Sequence, residues 1–567
     1  MDIGRKKKRL GDMLLKEQII TQEQLERALG IQKDSHKKLG EVLIDLGYTT
    51  EEAIAVALSR QLGVEKVSLN GMNIDKEIIN LVSGNILRKY VMIPFEYSNG
   101  NMNEVRMAMA DPMDMLALDD FTIITNLQVD PVTATPTEIM LALDKYYGNS
   151  EALNASKQYM KEREELESVQ TPEQEQYNED VNNSPIVLLV KTMIEQAARQ
   201  RASDIHIEAL EQKVRIRFRI DGALYEKFSY NIQMLPAIIA RVKIIGGMDI
   251  SEKRKPQDGS LSMLIDRKEY DIRASILPTV HGEKCVMRLA QKKALNKGKK
   301  ELGFSEDEMV VFEHILMNPN GMILVTGPTG SGKSTTLYTA LNELNREDVN
   351  IITVEDPVES ILDGVNQVQV NAKADLTFAT ALRSILRQDP DIIMIGEIRD
   401  RETAEIAVQA SMTGHLVVST LHTNSAASTL TRLLDMGIES YLLSDSMIGV
   451  IAQRLVRRLC PHCKKVRLAQ NREKEFLGLP IEEAFELYEP AGCPMCSETG
   501  YFGRTGIYEL MKITPDLREI ISDSGSADEI KKQALKDGMS TLKMSAMRLV
   551  KEGTTSFGEM LRVSFEN

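Results

Sequence analysis

From Gly327 to Thr336 the chain reads GPTGSGKSTT, and this stretch decides the fold. Gly327, Gly332, Lys333 and Ser334 satisfy the spacing G-x-x-x-x-G-K-[ST]. The apolar run GMILVT stands before it and the helical pattern KSTTLYTALNEL follows, so the loop sits where a strand gives way to a helix N-terminus. Backbone N–H groups of such a loop face a phosphate, the lysine meets the β and γ oxygens, and the hydroxyl after it ligates Mg²⁺. The expected nucleotide cradle is Gly327, Pro328, Thr329, Gly330, Ser331, Gly332, Lys333, Ser334 and Thr335, with Ser334 as the magnesium ligand.

A phosphate loop needs acids at the ends of neighbouring strands to manage Mg²⁺ and the attacking water. DIIMIGEIRD offers Glu397 after the apolar run Ile392 to Ile395, with Gly396 where many such proteins have Asp. IITVEDPVE offers Glu355, Asp356 and Glu359. GHLVVSTLHTN places His415 and His422 at the two ends of another apolar strand; His422 is the candidate γ-phosphate sensor and His415 the more structural of the two. Arginines neutralise charge on a transferred phosphoryl group. Arg383 and Arg387 are expected at i, i+4 on one helix face, with Arg399 nearby; they could equally serve from a neighbouring subunit, and the plainer account is a solvated helix face or salt bridges between subunits.

The rest of the 567-residue chain divides around this domain. Such a length is too great for one core. Residues 1–65 contain a repeat: RLGDMLLKEQIITQEQLERALGIQ (Arg9 to Gln32) aligns with KLGEVLIDLGYTTEEAIAVALSRQ (Lys38 to Gln61), 29 residues on. Each copy reads as a short helix, a turn and a second helix opened by a threonine with glutamate behind it, Thr21 with Glu23 and Thr50 with Glu52. Residues 66–148 read as the remainder of an N-terminal α/β module, and the polar, acidic stretch 149–183 reads as a linker. Residues 184–291 open with a helix and continue in alternating strands such as KVRIRFRI; basic residues 292–303 form a second linker, and 304–567 the large α/β domain. Within it, CPHC and CPMC present Cys460, Cys463, Cys493 and Cys496, the pattern of a tetrahedral structural zinc site over 460–496, with a helical hairpin expected between the pairs. His462 reads as a bystander and Cys285 as a core residue.

A net charge of −14 argues against a partner that is a nucleic-acid polymer. No run of about 18 apolar residues is present to span a bilayer. The basic start is interrupted by Asp12, Lys16 and Glu17, so it does not read as a secretory signal, and a cytoplasmic protein is expected.

Taken in order, GPTGSGKSTT, IITVEDPVE, LRQDPDIIMIGEIRD and GHLVVSTLHTN resemble the Walker A, Asp box, Walker B and His box of the GspE/PilB secretion ATPases. The smaller preceding domain shares ASDIHIEAL, RFRIDG, KRKPQDG and DIRASILPTVHGEKCVMRL. The resemblance implies an α/β fold in which a RecA-like ATPase domain follows a small α+β, PAS-like domain and a helical and α/β N-terminal regulatory region. It implies a homohexameric ring that hydrolyses ATP with Mg²⁺, in which Arg273 and Arg288 reach the triphosphate. The tetracysteine element and the long N-terminal region separate the extension and secretion motors from the retraction motors. Type IV pilus extension through an inner-membrane platform protein is the leading expectation, and the type II secretion motor the alternative. A nucleotide-sensing module without turnover, or a DNA-translocating ring, is disfavoured. The repeat resembles the tandem cyclic di-GMP motif of some of these ATPases, which implies ligand contacts from Arg9, Gly11 and Gln32 and from Gly40 and Gln61; Gln18 stands where the second copy has Gly47, and Lys38 where the first has arginine.

Overall fold

The computed structural model describes residues 10–35, 37–98, 101–148, 184–291 and 298–564. Arg9, the expected linker 149–183 and residues 292–297 of the second linker lie outside the described residues.

Four helices, Leu10–Lys16, Gln22–Ser35, Leu39–Asp45 and Glu51–Leu62, form the repeat. Leu14, Leu25, Leu43 and Ile54 fill its core. Thr21 and Thr50 do cap the second helix of each copy, but the reciprocal partner of Thr21 is Gln24, whose side chain accepts from the Thr21 N–H at 2.9 Å. A capping box needs the third residue after the cap, and Glu23 and Glu52 are each one short of it. Gln18 adopts φ +58 against +70 at Gly47, so the replaced glycine keeps its left-handed backbone. A three-stranded sheet follows, made of β1 (Met92–Ser98), β2 (Asn101–Met109) and β3 (Gln128–Thr133), with β2 central, antiparallel to β1 and parallel to β3.

The helix Pro185–Arg199 then leads into a six-stranded antiparallel sheet, β4 (Ala202–Ala209), β5 (Lys213–Ile220), β6 (Ala223–Asn231), β7 (Gln257–Ile265), β8 (Lys268–Thr279) and β9 (Gly282–Gln291), in the order β6-β5-β4-β9-β8-β7. Alternation in KVRIRFRI sends Val214, Ile216, Phe218 and Ile220 into the core and the arginines to the other face. The helix Leu235–Ile245 packs on the same core through Ile238, Ile239 and Val242.

The last domain is built on seven strands, β10 (Gly321–Thr326), β11 (Ile351–Glu355), β12 (Asn366–Gln369), β13 (Ile392–Ile395), β14 (Leu416–Leu421), β15 (Met447–Leu459) and β18 (Tyr501–Lys512), ordered β12-β11-β13-β14-β10-β15-β18. All pairings are parallel except β15 with β18. Helices cover both faces, so β10, β11, β13 and β14 are buried at every residue and read as unbroken apolar runs. Leu302, inside the expected second linker, is buried in this core, and Lys299 pairs with Glu313 at 2.7 Å and Glu343 at 3.2 Å.

Two expectations need correction. The span between the cysteine pairs is not a helical hairpin: it holds a two-stranded antiparallel sheet, β16 (Lys465–Leu468) with β17 (Glu486–Glu489), and one short helix, Asn471–Phe476. Arg467 on β16 bridges Glu489 on β17 and Glu473 on the helix, and Leu487 is buried beneath. Arg387 is not on the helix of Arg383, which ends at Ile385: beyond it the N–H groups of Arg387 and Gln388 bond three residues back, to the Ser384 carbonyl at 3.0 Å and the Ile385 carbonyl at 2.9 Å, instead of four. Among the described residues no helix is long and apolar enough to cross a membrane.

Candidate functional site

The phosphate loop bridges β10 and the helix Lys333–Leu344. Gly327 sits at φ +148, where an added Cβ would lie 2.4 Å from the Gln453 carbonyl oxygen; Gly332 sits at φ +91 and opens the helix. Both positions need glycine for backbone conformation, and Gly327 also for close approach. The Lys333 ammonium donates to the carbonyls of Gly327 at 2.9 Å and Pro328 at 3.2 Å. Burial pulls its pKa down to about 8, with Arg454 adding to the fall and Glu397 opposing it. Ser334 is exposed at the first turn, and the Ser331 hydroxyl is buried with no hydrogen-bond partner inside the loop. A left-handed glycine cradle at a helix N-terminus, an orphaned hydroxyl and a half-buried lysine suit a nucleotide phosphate with its Mg²⁺.

The carboxylates fall into two environments. Glu355, at the end of β11, is buried and fully engaged: Tyr338 donates at 2.5 Å to one oxygen, while Thr353 at 2.7 Å and Gln367 at 3.0 Å donate to the other. The Tyr338 oxygen in turn accepts from the N–H groups of Glu359 and Ser360, both at 3.3 Å. Glu397, just past β13, is more open. One oxygen accepts from Arg399, and the other lies 3.6 Å from His422 Nε2. His422 has a pKa lowered by burial and by the Lys333 charge, so Lys333, Glu397 and His422 sense one another's field. At Gly396 a Cβ would come within 3.3 Å of the Val354 carbonyl, a close approach that a bulkier aspartate would crowd.

The other expected residues are placed as follows. Arg273 on β8 and Arg288 on β9 stand opposite each other in register. Arg273 reaches to 3.8 Å from Glu359, and Arg288 donates to Asp204 at 3.1 Å. Arg383 pairs with Glu402 within the chain, and Arg387 donates to the Arg383 carbonyl at 2.7 Å. His415 is bound to the Ala410 carbonyl at 2.9 Å and so closes the end of a helix. The two domains meet where Arg457 donates to Tyr225 at 3.3 Å and Gly503 N–H to Asp221 at 3.0 Å. In the repeat, Gly11 and Gly40 are buried against Leu25 and Ile54, Gln32 and Gln61 are half-buried, and Lys38 pairs with Asp111.

Cys460, Cys463, Cys493 and Cys496 bring all four sulfurs within 4.8 Å of one another, and none of them is in a disulfide. The sulfur separations are 3.8 Å (Cys460–Cys493), 3.9 Å (Cys463–Cys496) and 3.7 Å (Cys493–Cys496). Tetrahedral metal–sulfur bonds of about 2.3 Å give an edge of about 3.8 Å, so the donor set fits Zn²⁺. Against the effect of burial, backbone N–H groups of Cys493 and Gly500 lower the Cys496 pKa toward the thiolate that such an ion needs.

Sequence reading missed several groups. Gln453 and Arg454 on β15 border the loop, Asn424 accepts from Arg454 at 2.9 Å, and Tyr338 with Gln367 holds Glu355. The available signal was the polar pair in MIGVIAQRLV, in a strand that otherwise has every reason to be aliphatic.

A largely parallel sheet, a phosphate loop between its strand and helix, and carboxylates at the ends of adjacent strands define a RecA-like P-loop ATPase. A family model described as type II/IV secretion system protein matches residues 179–562, and an MshEN domain matches residues 62–153, which begin at the end of the repeat. The type IV pilus assembly ATPase PilB of Myxococcus xanthus is 42% identical over 560 residues, 98% of each chain. The type II secretion system protein E of Pseudomonas aeruginosa is 49% identical over 397 residues, 70% of this chain and 79% of its own. The Legionella pneumophila ATPase DotB superposes with a TM-score of 0.50 at 20% identity, over 67% of this chain and 96% of that one, a likeness of fold alone. The chain belongs to the type II/IV secretion ATPase family, as a PilB-like member of the GspE/PilB group that hydrolyses ATP to drive a pilus or secretion machine.

Proposed function

We propose that this motor extends a type IV pilus, working as a homohexameric ring on the cytoplasmic face of the inner membrane and pushing on an integral platform protein. The observation that carries this reading is the correspondence with a pilus assembly ATPase over 98% of both chains. A type II secretion motor acting on a pseudopilus is the second reading, favoured by the higher identity, 49%, to a type II protein over 397 residues.

In this mechanism the loop N–H groups and Lys333 grip the β- and γ-phosphates, and Ser334 would hold Mg²⁺. The ion, when bound, neutralises charge on the phosphate oxygens. Glu397 takes the proton of the attacking water on the oxygen that faces His422, while Arg399 holds its other oxygen; His422 reports the γ-phosphate. Glu355 keeps Tyr338 in place, and through it the turn that carries Glu359. Arg273 and Arg288 bring positive charge from the six-stranded domain, so loss of the γ-phosphate changes what they are attracted to and the two domains shift. Cys460 and Cys463 after β15 and Cys493 and Cys496 before β18 would hold Zn²⁺, which would tie these two strand ends together. The N-terminal repeat would hold cyclic di-GMP through Gly11, Gln32, Gly40 and Gln61, with Arg9 as a further proposed contact, and its binding would tune the motor.

The test is a count of surface pili by electron microscopy in a strain lacking the gene, complemented with wild type or with Glu397→Gln. Pili restored by wild type alone support extension. Pili present in every strain refute it and leave the secretion reading.

A further inference from the structure

Gln453 lies in the middle of β15 with 1% of its surface exposed, among Ile451, Ala452 and Val456. A buried amide in an aliphatic strand is costly unless both of its ends are bonded. Both are, and both partners belong to the phosphate loop and the helix it opens: Nε2 donates to the Ser331 carbonyl at 2.8 Å, and Oε1 accepts from the Thr336 hydroxyl at 2.8 Å. The same residue presses on the loop glycines. Its carbonyl oxygen would lie 2.4 Å from a Cβ at Gly327, and its Nε2 3.2 Å from one at Gly332.

In a trans peptide the carbonyl of one residue and the N–H of the next point in opposite directions. Pinning the Ser331 carbonyl toward β15 therefore turns the Gly332 N–H the other way, into the cradle. Pinning Thr336 fixes the first turn of the helix whose N-terminus faces the phosphates. We propose that Gln453 is the positioning residue of the phosphate loop: without touching nucleotide, it sets the orientation of the Ser331–Gly332 peptide and of the helix start. The proposal rests on the reading of residues 327–335 as the phosphate cradle.

The test uses the full-length chain and displacement of a fluorescent ADP analogue by ADP and by adenosine, which lacks phosphates. Gln453→Met keeps the volume and removes both hydrogen bonds. With two buried bonds of ordinary strength lost, ADP affinity should fall about 10- to 30-fold, with adenosine affinity unchanged within about twofold. Thr336→Val should weaken ADP about fivefold, Thr336→Ser should behave as wild type, and Thr336→Val added to Gln453→Met should cost no more than about a further twofold. Equal losses for ADP and adenosine, additive effects of the two substitutions, or an unchanged ADP affinity would each overturn the proposal. If Gln453→Met does not fold, the Thr336→Val and Thr336→Ser pair decides alone, and equal ADP affinity in the two refutes it. Lys333→Ala separates the two claims: if it too keeps ADP affinity, the cradle itself is misread, whereas if it loses binding while Gln453→Met does not, only the role of Gln453 falls.

Discussion

Glu559→Gln should loosen the end of β15 that joins the nucleotide site to the cysteine cluster. Glu559 is buried and collects charged donors: Arg457 reaches it through Nε at 3.0 Å and Nη2 at 2.8 Å, the Arg457 N–H at 3.1 Å, and Arg562 through Nη2 at 2.8 Å. Burial alone would raise its pKa; the hydrogen bonds from Arg562 and Arg457 overcome that and bring it down to about 2. Measured from an ordinary glutamate value of 4.5, that depression corresponds to about 3 kcal/mol of stability. Because the folded pKa is the lower one, this stability is fully present above pH 4.5 and is lost as the pH falls toward 2. Removing the charge leaves Arg457 and Arg562 facing a neutral amide, a change of the size seen when a buried pair loses one partner, roughly 3 to 5 kcal/mol. Hydrogen exchange at pH 7 reads the effect locally: the Arg457 amide, which donates to Glu559, should open about 100-fold more often in the variant. An increase below about tenfold would refute the reasoning and mean that neighbouring polar groups or water replace the carboxylate at little cost.

The remaining expectations concern the site. Glu397→Gln should keep ATP bound while cutting hydrolysis about 100-fold or more, measured as phosphate release; loss of binding with hydrolysis would mean this glutamate is misassigned. ATP affinity should fall as pH rises through about 8, since Lys333 is charged below that value and neutral above it. Between pH 7 and 9 the loss should be about tenfold, and Lys333→Arg, which stays charged, should flatten it; a flat wild-type profile would count against the shifted lysine. Cys460→Ser should release zinc, seen by metal analysis, and lower the unfolding temperature of the C-terminal domain; wild-type protein purified without zinc would remove that expectation. Titration calorimetry with cyclic di-GMP at micromolar protein should give heat, and none would count against the repeat as its site.

Local signals carried the nucleotide site because they are local in the fold. The phosphate loop is one strand, one turn and one helix, contiguous in sequence, and the glutamates follow apolar runs that can be buried only as central strands. The cysteine cluster was equally legible, since cysteines three positions apart, Cys460 with Cys463 and Cys493 with Cys496, present their sulfurs from a single turn each. The insertion between them was not: KVRL and ELYE are short and weakly patterned, and they find each other only in the fold, where they pair in register with Leu487 buried and Arg467 bridging Glu489 and Glu473. Arg387 was misplaced because an i, i+4 spacing says nothing about where a helix stops, and here the last turn tightens to bonds three residues back at Arg387 and Gln388.

By itself the sequence determined the class of machine and singled out the residues proposed to meet a triphosphate, because glycines, lysine, hydroxyl and strand-end acids are expected at those spacings whatever surrounds them. Only the tertiary structure decided which carboxylate is free and which is tied. Glu355 and Glu397 both end apolar strands, yet donors from Tyr338, Thr353 and Gln367 converge on the first, while the second opens toward Lys333 and His422. It also decided that Gln453, more than a hundred residues away in the chain, lies against the phosphate loop. The reason is the strand order: β15 follows β10 by five strands in sequence but lies beside it in the sheet, and neighbours in a parallel sheet are chosen by crossover connections that no short stretch of sequence contains.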